Sequence, residues 1–338
     1  MIRLSYQPPL DYPFLLSFFR NRSITGLEHA TNDSYTRLVC LPASTPPANG
    51  KAAVETIGWF TVSSPPAVIA VTPRHQLSLS ISPGLESSLA ALLPRIRAMF
   101  DLDCRPDVIS AHLGSHPTLQ ASVAARPGLR VPGGFDGFEV LCRAVLGQQV
   151  SISAARTLAA RLTAHFGEAT PARLRPPHDS LTHLFPTAAR IAALTPACLA
   201  TIGLPQSRAE TLHRAASAVA RGTLSLAPGT PPELVMQQLR ELRGIGPWTA
   251  SYVAMRALRW HDAFPGTDLI LKRALIGPDN ATDTQIEAAS KCWSPWRSYA
   301  AAHLWAAATP PASKTTKATK ATKPASKRSP KTRRATTG

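Results

Sequence analysis

Acidic residues are scarce in this chain. Its 338 residues include 20 Asp and Glu against 37 Lys and Arg, a formal charge of +17. That imbalance points to a polyanionic partner, either nucleic acid or an anionic surface. Cysteine is sparse as well. The five cysteines (Cys40, Cys104, Cys142, Cys198, Cys292) are scattered singly, with no CxxC spacing. An odd, dispersed set argues against a disulfide framework and leaves no compact cluster for zinc or an iron–sulfur centre. Long apolar runs are absent too: none reaches the ~20 residues needed to span a bilayer. The stretch "PFLLSFF" near the N-terminus is short, follows Asp11 and lacks a small-residue cleavage site, so it reads as a core segment rather than a signal peptide.

What is present is enough for a sizeable core. The chain is 44% hydrophobic, and its length predicts two or three domains. Residues 1 to 112 read as an α+β domain. "TRLVCL", "TIGWFTV", "AVIAVT" and "LSLSIS" show β-branched content or alternation between Pro, Gly and Asn turns. "PGLESSLAALLPRIRAMFDL" reads as an amphipathic helix, with Pro94 as the point where it kinks or splits. From 113 to 310 the texture becomes Ala/Leu/Arg-rich and helical, with short Pro and Gly breaks. Residues 311–338 are low-complexity Lys, Thr, Ala and Pro, predicted to be a disordered basic tail. Nine Lys and Arg and no acid lie between Lys314 and Arg334, so the remainder holds 28 basic against 20 acidic residues and is itself moderately basic. The tail reads as a DNA tether or as a solvated extension.

The most informative stretch is "LRGIGPWTASYVAMRALRWHDAFPGTD", Leu242 to Asp268. Gly244 and Gly246 lack a Cβ and tolerate positive φ, so backbone there is able to approach a phosphate closely. A helix beginning near Pro247 would aim its free amides and dipole at the same anion. The alternative is an ordinary glycine-capped corner between two helices. About twenty residues on, after Pro265-Gly266, stands Asp268. It either caps the helix "LILKRAL" and nothing more, or sets a carboxylate beside a sugar-phosphate track. In the second case it would stabilise an oxocarbenium ion or activate water in glycosidic-bond chemistry.

These residues resemble the helix–hairpin–helix, Gly/Pro-rich loop and Asp superfamily of DNA glycosylases, and within it the bacterial 3-methyladenine DNA glycosylase II (AlkA) group. "YQPPLDYPFLLSFFRNR", "ARPGLRVPGGFDGFEVLCRAVLGQQVS" and "WSPWRSYAAAHLW" extend the likeness over nearly the whole ordered chain. The resemblance implies an α+β fold: an N-terminal antiparallel-sheet domain beside a two-lobed all-α domain. It implies Asp268 as the catalytic carboxylate and Gly244, Gly246 and Thr249 as the backbone-gripping hairpin. It further implies an aromatic base-binding cleft of Trp248, Tyr252, Trp296 and Phe18, and a wedge at Gln148 or Gln149. Alkylated purines are cationic and their glycosidic bonds are weakened, so electron-rich rings would favour them face-on by ~0.5–2 kcal/mol each. The expected partner is duplex DNA carrying alkylated bases, with no membrane; the expected state is a monomer in the bacterial cytoplasm, associated with the nucleoid. No cofactor or metal is required beyond a possible monovalent cation at the hairpin.

Three departures refine this expectation. Trp248 stands where lyase-type members carry a Schiff-base lysine, which predicts a monofunctional enzyme that leaves an abasic site. Gln149 replaces a leucine at the wedge, and Leu269 replaces an aromatic residue after the aspartate. Lys272 reads as a phosphate contact or a solvated charge, Asp136 as the cap of the helix starting at Gly137, and His261 and His303 as structural. Two rival readings stay open: a non-enzymatic helix–hairpin–helix DNA-binding protein, and a glycosylase for deaminated or oxidised bases.

Overall fold

Alternating burial along the early strands builds an antiparallel sheet. In β4 (Thr56–Ser63), Gly58, Phe60 and Val62 face the core while Ile57, Trp59 and Thr61 are half-buried. The computed structural model describes residues 1–41, 55–64, 75–276 and 282–308. Its sheet has the order β1 (Ile2–Ser5), β5 (Gln76–Ile81), β4, β3 (Ser34–Leu41) and β2 (Glu28–Ala30), every pair antiparallel. "TRLVCL", "TIGWFTV" and "LSLSIS" fall in β3, β4 and β5. β1 and β2, four and three residues long, give too short a pattern to read from sequence. "AVIAVT" and the basic tail lie outside the described residues.

Helix α1 (Tyr12–Arg22) carries "PFLLSFF". Asp11 caps it by accepting from the Phe14 amide at 3.0 Å. Its buried face of Tyr12, Leu15, Leu16 and Phe19 joins Tyr35, Phe60 and Phe100 in the first of three cores. Pro94 does not split its helix: a 3-10 turn at Leu85–Ser88 comes first, and α2 (Leu89–Phe100) runs through Pro94. Asp101, with φ of 54°, ends α2.

The remaining helices form two further cores. One gathers residues from 138 to 253, with Ile24, Leu27 and Leu38 of the sheet domain. It is built from α5 (Gly137–Leu146), α6 (Ile152–Phe166), α7 (Ala188–Ala192), α8 (Pro196–Ala200), α9 (Gln206–Ala220) and α10 (Pro232–Glu241). The other unites Cys104 to Val131 with residues 254 to 306. It holds α3 (Pro106–Gly114), α4 (Pro117–Ala125), α12 (Leu269–Ile276), α13 (Asp283–Ser290) and α14 (Arg297–Ala308). The helical part is therefore two-lobed. A boundary at 112 falls inside α3, whose Ile109 and Leu113 pack with the C-terminal lobe, while Phe135 still belongs to the first core.

Where these bodies meet lies a buried ion cluster. Arg37 of β3 reaches Glu139 of α5 at 2.7 Å, and Arg143 of α5 reaches Glu28 of β2 at 2.6 Å and Glu139 at 2.7 Å. Arg143 also donates to the Arg22 carbonyl at the end of α1, at 2.8 Å. Glu139 is capped into place by Asp136, which accepts from its amide at 3.0 Å.

Burial alone would raise the Glu139 carboxyl, but the Arg37 and Arg143 guanidiniums outweigh it and hold the group well below the usual carboxylate range. A group depressed in the folded state contributes stability above its unfolded value, ~4.3, and loses it as pH falls towards the folded value. Glu139→Gln is expected to cost about 3–5 kcal/mol in urea unfolding at neutral pH, because two guanidiniums are then left to share Glu28 alone. The wild-type advantage should shrink as the titration moves below pH ~4.

Candidate active site

The glycine hairpin joins α10 to α11 (Pro247–Arg256) through Leu242–Gly246. Ile245 is buried and anchors the turn in the core. The two glycines serve different ends. Gly244 has φ of +97°, and a Cβ there would lie 2.0 Å from Thr211 Oγ1 of α9, so the turn and the close helix both demand glycine. Gly246 is the N-cap of α11 with φ of −91° and no side-chain cap, and a Cβ there would meet open space. The uncapped first amides of α11 are thus left for an external acceptor.

Side chains brace the turn from behind. Gln148 Nε2 donates to the Gly244 carbonyl at 2.9 Å and to Thr249 Oγ1 at 3.1 Å. Thr211 and Arg214 donate to the Arg243 carbonyl at 3.3 and 3.1 Å. Thr249 is buried. Of the two wedge candidates, Gln148 is turned onto the hairpin. Gln149 is exposed and held at φ of +54°.

Asp268 precedes α12, and Oδ1 accepts from the Ile270 and Leu271 amides at 2.9 and 3.2 Å. The cap expected from sequence is present, yet it is not the whole arrangement. Two indoles also converge on the carboxylate: Trp248 Nε1 donates to Oδ2 at 3.0 Å and Trp305 Nε1 to Oδ1 at 3.1 Å. Four donors from α11, α12 and α14 fix both oxygens. Leu269 is 69% exposed beside it. Lys272 points away, in an ion pair with Asp283 at 2.8 Å, and Asp262 is paired with Arg297 at 2.9 Å.

The aromatic residues form a chain rather than an open slot. Trp248 stacks on Tyr252 with centroids 4.9 Å apart and planes 14° from parallel. Arg256 of α11, 5% exposed, lies 4.6 Å from the Phe18 centroid, 5.3 Å from Tyr252 and 5.7 Å from Trp305. A resident guanidinium thus already sits among the rings. Phe18 also carries Arg22 at 4.1 Å, four residues on in α1. A cavity of about 60 Å³ adjoins them, lined by Phe18, Arg22, Phe135, Tyr252 and Arg256 among others.

Trp248, Tyr252, Phe18 and Asp268 are therefore brought together. Trp296 is not among them: it packs on His261 at 5.7 Å and Tyr299 at 5.9 Å. The tryptophan that reaches Asp268 is Trp305, in the same quoted stretch but on the inward face of α14. Arg22 and Arg256 were also missed. Position i+4 after Phe18 and after Tyr252 was the signal that could have found them. His303 is buried, bonded to Ser122 at 3.1 Å, and burial pulls it down to about 4. Among the described residues no cluster of three or more His, Cys, Asp or Glu is arranged to hold a metal.

Comparison with known proteins sets this geometry in context. Residues 1–136 match the family model of the AlkA N-terminal domain, and residues 142–298 that of the HhH-GPD superfamily base excision DNA repair protein. The chain is 35% identical over 305 residues to DNA-3-methyladenine glycosylase 2 of Escherichia coli K12, covering 90% of this chain and 96% of that one. It is 34% identical over 216 residues to a DNA-3-methyladenine glycosylase of Bacillus subtilis, covering 62% and 70%. In fold it is similar to a 3-methyladenine DNA-glycosylase from Archaeoglobus fulgidus, with a TM-score of 0.70 at 17% identity over 90% of this chain and 97% of that one.

The two hairpin glycines are expected to separate on substitution. Gly244→Ala should cost about 1–3 kcal/mol through backbone strain and the clash with Thr211. Gly246→Ala should leave thermal stability within about 0.5 kcal/mol. Parallel melts of the two variants check both.

Proposed function

Because the chain belongs to the HhH-GPD superfamily of base excision DNA repair proteins, in its AlkA-type branch, we propose that it is a DNA N-glycosylase acting on alkylated purines such as 3-methyladenine and 7-methylguanine. The observation that carries the reading is Asp268, whose two oxygens are held by two indoles and two helix-start amides. A carboxylate fixed in orientation and preorganised before substrate arrives is suited to charge that develops on C1′ as the glycosidic bond breaks. Its remaining lone pairs are able to activate the attacking water. An alkylated purine is already an activated leaving group, so little general-acid help is needed.

The target base must leave the duplex to reach Asp268, at a cost of a few kcal/mol that is smallest for damaged bases. The uncapped start of α11 grips phosphate through its amides, which positions the duplex without reading sequence. Gln149, exposed at its turn, is the side chain available to fill the gap; Gln148 supports the hairpin. The turn also offers backbone carbonyls, hard donors that suit a monovalent cation. Those of Arg243 and Gly244 already accept from protein side chains, so a cation bridging to phosphate would draw on others. Among the described residues no lysine is paired with Asp268: Trp248 occupies the lyase position and Lys272 is paired with Asp283. The reaction therefore ends at an abasic site.

One observation favours a second reading. Arg22 and Arg256 bring positive charge to the cleft, which opposes a cationic base and suits a neutral deaminated or oxidised base with carbonyl acceptors.

The test is base release from methylated duplex DNA, followed by chromatography. Wild-type protein should free 3-methyladenine and 7-methylguanine with no strand nicking before alkali. Asp268→Asn should lower release by about 10²–10³-fold, the usual loss when a preorganised transition-state contact is removed, while duplex binding persists. Binding without any release, on methylated, deaminated and oxidised duplexes alike, would instead identify a non-enzymatic binder. Gly246→Ala should weaken binding to undamaged duplex with no loss of stability.

A further inference from the structure

The charges around the cleft do not balance. Arg37 and Arg143 are matched by Glu28 and Glu139. Among the described residues, no carboxylate lies within ion-pair distance of Arg22 or Arg256. Both instead face aromatic groups: each lies within 5 Å of the Phe18 centroid, and both line one cavity with Tyr252. Arg256 has a further buried nitrogen, Nε, without a protein partner, and its Nη1 is spent on the Pro132 carbonyl at 2.6 Å. Burial above all, then Arg22 and Arg259, holds Arg256 down to about 10, against the pull of Tyr252.

This excess is a liability for a site that takes a cationic base. Two like charges seated on the same rings that would receive the base oppose what those rings offer a cation. Among the described residues that line the cavity, Tyr252 is the ionisable hydroxyl not already tied to a counter-charge. Tyr252 of α11 lines the same cavity as Arg22, Arg143 and Arg256, with the Arg256 guanidinium 5.3 Å from its ring centroid. Burial would raise its phenol, yet Arg256, Arg22 and Arg143 outweigh burial and hold it below the ordinary tyrosine value. Glu28 and Glu139 line the same cavity but are paired with Arg143, and Asp268 is bonded to Trp248, which stacks on Tyr252.

We propose that Tyr252 is the charge-matching residue of the cleft. Its hydroxyl gives its proton to solvent, the phenolate is held between Arg22 and Arg256, and the stacked Tyr252–Trp248 pair then presents an electron-rich face to a cationic base. Selectivity for a cation thus comes from an ionised ring as well as from ring area. The proposal rests on the glycosylase reading above and concerns which bases that site prefers.

Two measurements on the full chain test it. The first is a near-ultraviolet tyrosinate titration of wild type against Tyr252→Phe. Burial pushes Tyr12, Tyr35 and Tyr299 upward, so the difference isolates an early step belonging to Tyr252. The second is single-turnover release of 3-methyladenine from methylated duplex as a function of pH. Wild-type release should rise through an inflection that coincides with the spectroscopic step. Tyr252→Phe should abolish that inflection and be slower on its upper limb, by roughly twofold to thirtyfold. Arg22→Gln should move the inflection to higher pH. A difference step at or above ~10, the ordinary tyrosine value, would overturn the proposal. So would a Tyr252→Phe protein that is slower at every pH with its inflection intact, since that is a packing defect. Absence of release from wild type at any pH would remove the glycosylase reading and this proposal with it; the Tyr252→Phe comparison tells the two failures apart.

Discussion

Helix α5 is held at both ends by polar contacts, and the rest of the molecule is arranged around that fact. Glu139 in its first turn and Arg143 in its last are locked to Arg37 and Glu28 of the sheet. At its end, Gln148 is bonded to the glycine hairpin. Charges buried this deeply do little for net stability, because desolvation offsets most of their attraction. What they contribute is register. A guanidinium and a carboxylate out of water tolerate few relative positions, so the N-terminal sheet is keyed to α5, and α5 sets the height of the hairpin.

The cleft inherits its precision from the same scaffold. Arg143 holds the Arg22 carbonyl at the end of α1, and Arg22 faces Phe18 on the previous turn. Arg256 on α11 touches rings from α1, α11 and α14. Asp268 is reached by indoles from α11 and α14 and by amides of α12. Three cores therefore supply one carboxylate and its surroundings, and no single lobe contains the site. A second tie, Asp101 with Arg259 at 2.7 Å and with the Tyr299 hydroxyl at 2.9 Å, joins the end of α2 to the C-terminal lobe in the same manner.

The hairpin and Asp268 were legible in the sequence because their signals are local. A glycine turn, a following proline and an aspartate after a Pro-Gly break each leave a mark within a few residues. The strands were legible through β-branched alternation and the helical texture through its periodicity, whereas the two lobes came only with the family resemblance. Trp305 was not, because choosing between Trp296 and Trp305 requires knowing which face of α14 turns inward. Local pattern also missed that α3 packs with residues far along the chain. Nor did it show that Gln148 turns inward while Gln149, one residue on, enters the left-handed region and points out. The excess of arginine in the cleft was hidden for a different reason. Charge pairing is a property of three-dimensional neighbours, and the sequence offers 37 cations without saying which of them lack an anion.

The bond from Gln148 to the Gly244 carbonyl has a mechanical meaning. It links the turn after α5 to the turn between α10 and α11 and ends on backbone at Gly244. The exposed Gln149 thus sits one residue from the contact that holds the glycine hairpin in place.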